Sequence, residues 1–245
     1  MSIKSTSPPA LSNAKMQVRS PLATEEMAPY FVDKKNYQKE SANKTDKGGM
    51  AGLVKGIKAL LGDVETAPFT VTAEKEGYEE RVYPARKWAC TTMQGPERDS
   101  LVSPMFRKLF NYISGKNELN LRMDMTTPVA TYIEPGAGPT CASTFTMSFF
   151  VPEEHQSSPP NGGPDVFVQE RPELTVLTRR FGGYAPDEAV AKEAKELAEL
   201  LQAAGETDVD FTHYYVVGYD PPFKPINRRN EIWFIKKSKP ASPSE

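Results

Sequence analysis

Hydrophobic and polar positions divide the chain into an unpatterned tail and a strongly patterned body. Residues 1–49 are dominated by Ser, Lys, Pro and Asn with no sustained periodicity. Such a stretch cannot bury enough apolar surface to offset the entropy of ordering, so a disordered basic tail is expected. Over 50–62, Leu53, Val54, Ile57, Leu60 and Leu61 recur at helical spacing with Lys55 and Lys58 between them. This predicts a short amphipathic helix that docks on the domain or touches a membrane surface reversibly.

After Pro68 the pattern alternates and becomes rich in β-branched and aromatic residues, predicting strands at 69–72, 78–83 and 87–93. A helix is expected over 101–114, with Pro104 in its first turn and Gly115 as its stop, followed by strands at 127–134 and 143–151. Beyond a Pro-, Gly- and Ser-dense loop at 152–164 the same order returns. Strands at 166–170 and 174–180 precede a helix over 186–204, opened by Pro186, Asp187 and Glu188 and stopped by Gly205, and strands at 213–219 and 231–236 follow.

The chain therefore reads as strand–strand–helix–strand–strand, twice. Residues 78–93 align loosely with 166–180, and 144–151 with 230–236, which argues for a pseudo-twofold α+β body over 63–238 and a disordered end over 239–245.

The two helices differ. In the second, Val190, Ala194, Leu197 and Leu201 form one narrow stripe suited to core packing. In the first, Leu101, Val102, Met105, Phe106, Leu109, Phe110, Tyr112 and Ile113 sweep about half the circumference, with Phe106 and Phe110 at one edge. Either the amphipathic segment or a loop covers that edge, or an apolar ligand does.

Charge and composition narrow the classes. The net charge of −2 divides into 10 basic against 5 acidic residues over 1–60 and 20 against 27 over 61–245, so nucleic acid is not an expected partner of the body. Cys90 and Cys141 lie in strand-like runs without CxxC spacing, which fits a reducing compartment and neither a disulfide framework nor a zinc site. No run approaches the roughly 18 apolar residues of a membrane span, and the first residues lack the apolar stretch of a signal peptide. A soluble cytoplasmic protein is expected.

No nucleophile with a base, metal triad or phosphate loop is legible, so neither catalytic residues nor a metal site are expected. Glu231, just ahead of Ile232 and Trp233, could bind a cation in a pocket; the favoured expectation is that it pairs with Arg228, Arg229 or backbone amides.

Several segments carry a further signal: Leu61-Gly-Asp-Val-Glu-Thr-Ala-Pro-Phe69, Tyr78-Glu-Glu-Arg81, Met125-Thr-Thr-Pro-Val129, Phe181-Gly-Gly-Tyr184, Gly218-Tyr-Asp-Pro-Pro222 and Arg228-Arg-Asn-Glu-Ile-Trp233. Each resembles a segment of the SOUL/heme-binding-protein family, in the family's order, over roughly residues 57–236. The resemblance implies a distorted antiparallel β-barrel with two α-helices. It also implies non-catalytic binding of heme or a related tetrapyrrole, for transport or buffering, in a shallow apolar groove between the first helix and the loop after Tyr219. The positions that match the groove are Phe106, Phe110, Phe223 and Lys224, and Met105 completes the expected site.

Two departures from the family pattern bear on that site. Val82 stands where some relatives carry a histidine proposed as an iron ligand, and Ser103 and Asn111 stand where others carry basic residues. With only His155 and His213 in the chain, heme without a histidine axial ligand is expected. Two other readings remain. Leu197, Leu201, Gly205 and Glu206 loosely resemble a death-regulator helix motif, implying a weak protein partner. Glu231 resembles the carboxylate of effector-binding domains in transcription regulators, implying a small apolar or cationic effector.

Overall fold

Two successive runs of the chain build one sheet by exchanging a strand. The computed structural model describes residues 64–137, 141–221, 224 and 226–237. The expected tail, the amphipathic helix at 50–62 and the terminal segment at 239–245 lie outside the described residues. The elements are β1 (Thr70–Lys75), β2 (Tyr78–Tyr83), β3 (Arg86–Gly95), α1 (Asp99–Ile113), β4 (Val129–Glu134), β5 (Ser143–Phe150), β6 (Phe167–Arg171), β7 (Leu174–Phe181), α2 (Asp187–Ala203), β8 (Val209–Gly218) and β9 (Asn230–Lys236).

The strands lie in the order β1-β2-β7-β9-β8-β4-β5-β3-β6, and all the ladders are antiparallel. The two halves meet where β4 pairs with β8. Outside that seam, β2 of the first half pairs with β7 of the second, and β6 of the second pairs with β3 of the first. A shift of 88 residues carries the Glu79↔Thr178 rung onto Cys90↔Phe167, so the expected internal repeat is present in the pairing itself. The class is α+β as expected. The sheet is open: β1 and β6 are its edges, with no ladder between them.

Successive residues along a strand face opposite sides, and both sides are apolar here. On one face Met105, Leu109, Leu197 and Leu201 join Phe149, Leu177, Ile232 and Phe234 in a core that holds both helices. On the other, Tyr83, Trp88, Cys90, Val176, Tyr215 and Trp233 are equally buried, yet neither helix contributes to their cluster. A nine-stranded sheet buries such a face only by curling over it, which gives the fold its barrel-like form.

Several boundaries differ from expectation, and two of them have a structural cause. Helix α1 begins at Asp99, so Pro104 sits in its second turn, where the missing N–H leaves the Ser100 carbonyl without its helical donor. Strand β8 begins at Val209 rather than 213, because its register against β9 shifts between Asp210 and Tyr214 and breaks the alternation.

Candidate functional site

The broad apolar arc of α1 is mostly taken up by the sheet. Met105 is 0% exposed and Phe106 8%, and the Phe106 ring meets Phe149 edge-on with centroids 5.2 Å apart. Phe110, one turn on, is half-buried and lies nearly parallel to Phe106, with centroids 6.0 Å apart and planes 14° apart. Of the expected groove residues on α1, Met105 is enclosed, Phe106 nearly so, and Phe110, stacked on Phe106, is half-buried. Ser103 and Asn111 are half-buried on the same helix.

Phe223 lies outside the described residues. Lys224 sits in the β8–β9 connection with its ammonium 2.7 Å from Asp220 Oδ1. The loop is braced by Arg228, which donates to the carbonyls of Pro221 and Lys224, and by the Arg229 N–H, which donates to Asp220. Burial pushes the Asp220 carboxyl up, but the bonds from Lys224 and from the Arg229 amide outweigh it and hold the group below its ordinary value. Lys224 is therefore presented at the surface on a short acidic tether.

Both histidines have carboxylate neighbours: His213 Nδ1 is 2.9 Å from Asp210 Oδ2, and His155 Nε2 is 3.4 Å from Glu154. Among the described residues no cluster of three or more His, Cys, Asp or Glu side chains is arranged to hold a metal. Leu197 and Leu201 are fully buried in the core.

The barrel-like interior holds the polar residues that sequence reasoning placed least well. Glu231, 1% exposed, pairs with neither Arg228 nor Arg229. Its Oε2 accepts from Arg81 at 3.0 Å, Tyr219 Oη at 2.8 Å and Trp233 Nε1 at 2.9 Å, and its Oε1 lies 3.8 Å from Arg180. Arg81, itself 3% exposed, also holds Glu79 at 2.7 Å and stacks over Phe69 at 4.4 Å. The Arg228 guanidinium is spent on loop carbonyls and that of Arg229 on the face of Tyr219, 3.6 Å away. The cation that Glu231 meets is the chain's own Arg81 guanidinium. Burial works against charge on Arg81, but Glu231 and Glu79 raise its pKa above the ordinary value. Burial, with Tyr83 and Glu231 close by, raises Tyr219 too, so its hydroxyl stays a donor. The overlooked signal was Arg81 itself, a charged residue at an inward position of a strand.

Comparison with known proteins separates the readings. A family model described as SOUL heme-binding protein matches residues 64–235, nearly all of the described body. The chain belongs to the SOUL heme-binding protein family. Relatives of this SOUL chain include heme-binding protein 2 of Homo sapiens, 38% identical over 73% of this chain and 87% of the relative. Heme-binding protein 1 of Sus scrofa is 33% identical over 76% of this chain and all of its own length. The motifs at Tyr78, Met125, Phe181, Gly218 and Arg228 all fall within the matched span. It is a heme-binding family, not a family of enzymes. Among the described residues no helix is long and apolar enough to cross a membrane.

Proposed function

We propose that this protein binds heme or a related tetrapyrrole without acting on it, as a cytoplasmic carrier or buffer, in a shallow groove between α1 and the β8–β9 loop. The observation that carries the reading is the Phe106–Phe110 stack, two nearly parallel rings at one edge of a helix packed against the sheet. A macrocycle laid on Phe110 would gain area burial and ring stacking. Phe106 and Met105 support Phe110 from below, Phe223 adds a second aromatic contact, and Lys224 turns from Asp220 to a propionate. Holding the tetrapyrrole is thus the work of apolar contact and one charge. Each histidine stands beside a carboxylate, and neither is assigned to the iron. The buried free thiol of Cys90 fits a reducing compartment.

A Soret titration of the full chain with hemin tests this. One-to-one binding that is lost in Phe110→Asp, with far-UV circular dichroism unchanged, is the expected result. Unchanged affinity in both Phe110→Asp and Lys224→Glu would move the site elsewhere.

A further inference from the structure

The interior of the curled sheet holds two buried arginines, one from each exchanged strand, and among the described residues only one of them has a counter-ion. Arg81, from β2, has Glu231 and Glu79. Arg171, from β6 and 8% exposed, has no carboxylate partner among the described residues. Its neighbours are neutral: NH2 donates to Ser148 Oγ and lies 3.8 Å from Cys90 Sγ, and Nε reaches Gln169 Oε1 at 3.5 Å. The aromatic rings of Trp88 and Tyr215 lie 4.7 and 5.4 Å from the guanidinium carbon. Its cross-strand partner is another cation, Arg86, whose acid Glu153 is largely exposed.

Each arginine also bonds along its own strand. Arg81 bonds to the residue two before it, Glu79; Arg171 bonds to the residue two before it, Gln169, the uncharged isostere of glutamate. A buried charge needs a partner of opposite sign, and a like charge directly across a ladder adds to the need. NH1 of Arg171 donates to no described residue. Gln169 is exposed and lies on the edge strand, so the Arg171 guanidinium borders solvent at a polar side chain.

We infer that Arg171 is the anion-binding group of a second site, which takes a small carboxylate at the β6 edge of the sheet interior. The carboxylate supplies there what Glu231 supplies to Arg81, and the flanking rings admit a short apolar substituent. The site lies on the face of the sheet opposite α1, so its occupancy is independent of the tetrapyrrole groove.

Saturation-transfer NMR of acetate with the full chain tests the site, read against two variants. Gln169→Glu brings a carboxylate to the arginine with little change of volume, and Arg171→Gln removes the charge. The expected result is a saturable acetate signal in the unsubstituted chain that both variants abolish. Gln169→Glu should also melt higher than the unsubstituted chain in acetate-free buffer and bind hemin equally well. No saturable acetate signal in the unsubstituted chain, or one that persists in either variant, overturns the inference. A signal that appears only in Cys90→Ser also overturns it, since the Cys90 thiolate would then be the counter-ion. Should Arg171→Gln fail to fold, Gln169→Glu alone decides.

Discussion

Asp99 and Asp187 cap each other's helices. Each is the first residue of its helix; Asp187 Oδ2 accepts the Asp99 N–H at 3.2 Å, and Asp99 Oδ2 accepts the Asp187 N–H at 3.0 Å. Each carboxylate thus meets the positive end of the opposite helix dipole. Arg98 stands between them, hydrogen-bonded to Asp99 at 2.9 Å and in ion contact, without hydrogen-bond alignment, at 3.0 Å from Asp187. The reciprocal caps lie on the pseudo-twofold axis and tie the halves together where the sheet does not.

Removing Arg98 should expose the repulsion this arrangement contains. Burial, then the charge of Asp187, raises the Asp99 carboxyl above its ordinary value even with Arg98 present. The folded state therefore holds this proton more tightly than the unfolded state. The stability it contributes is full below the unfolded pKa and is lost as pH rises through the folded one. Arg98→Met should cost about 1–2 kcal/mol at pH 7, an amount kept small by the partial exposure of both carboxylates. At pH 4 the loss should be smaller. Urea denaturation at the two pH values checks this, and equal losses would rule out the repulsion.

Glu231→Gln should destabilise far more, by about 3–5 kcal/mol, because it leaves the Arg81 charge buried with only the half-exposed Glu79 beside it. The Tyr219 and Trp233 donors would still find an acceptor in the amide oxygen, so the loss reports the charge pair rather than the hydrogen bonds. Chemical denaturation against the unsubstituted chain measures it. A loss under about 1 kcal/mol would mean that the pair is no better than a surface salt bridge.

What the sequence shows depends on whether the cause is local. Strand β2 was legible to the residue, since the Glu76–Gly77 turn, with Gly77 at φ +87, sets its start and its alternation is unbroken. The stripe Val190, Ala194, Leu197, Leu201 was legible because a 3.6-residue period needs no partner to be seen. The start of α1 was not, because the group that caps Asp99 stands 88 residues away on another helix. Arg81 and Arg171 were missed as interior groups because a charged residue reads as solvent-facing until its partners are in space. Phe106 and Phe110 were picked out by an arc wider than a packing stripe needs, and the family resemblance added Lys224 on a loop that carries no periodic signal.

Leu197→Ala should cost about 2–5 kcal/mol, and Leu201→Ala a similar amount, because both side chains are wholly enclosed between α2 and the sheet. A partner could reach them only by undocking the helix. Thermal melts of the two variants check the packing role; a variant that kept its melting temperature and lost only binding to another protein would make α2 an interaction helix instead.

The tether between Lys224 and Asp220 makes hemin affinity adjustable from a residue that touches no ligand. In the free protein Lys224 is held at 2.7 Å by a carboxylate that also accepts the Arg229 N–H, so a propionate must compete with Asp220 for the ammonium. Lys224→Glu removes the cation and should weaken hemin binding by about 1–2 kcal/mol, the worth of one charge-assisted bond at a partly exposed site. Asp220→Asn should act in the opposite direction. The amide still accepts from the Arg229 N–H, keeping the loop in place, while Lys224 is released from its ion pair, so affinity should rise several-fold. Because the folded-state pKa of Asp220 is held low, its carboxylate stays charged in mild acid and the competition persists to the pH at which it protonates. The gain from Asp220→Asn should therefore be the same at pH 7 and pH 6. His155→Ala and His213→Ala should leave both the affinity and the Soret position where they were, since neither ring is needed to hold the macrocycle. Parallel Soret titrations of the four variants decide the matter: a loss of affinity in Asp220→Asn, or a shifted Soret band in either histidine variant, would mean that charge or ligation at this site works otherwise.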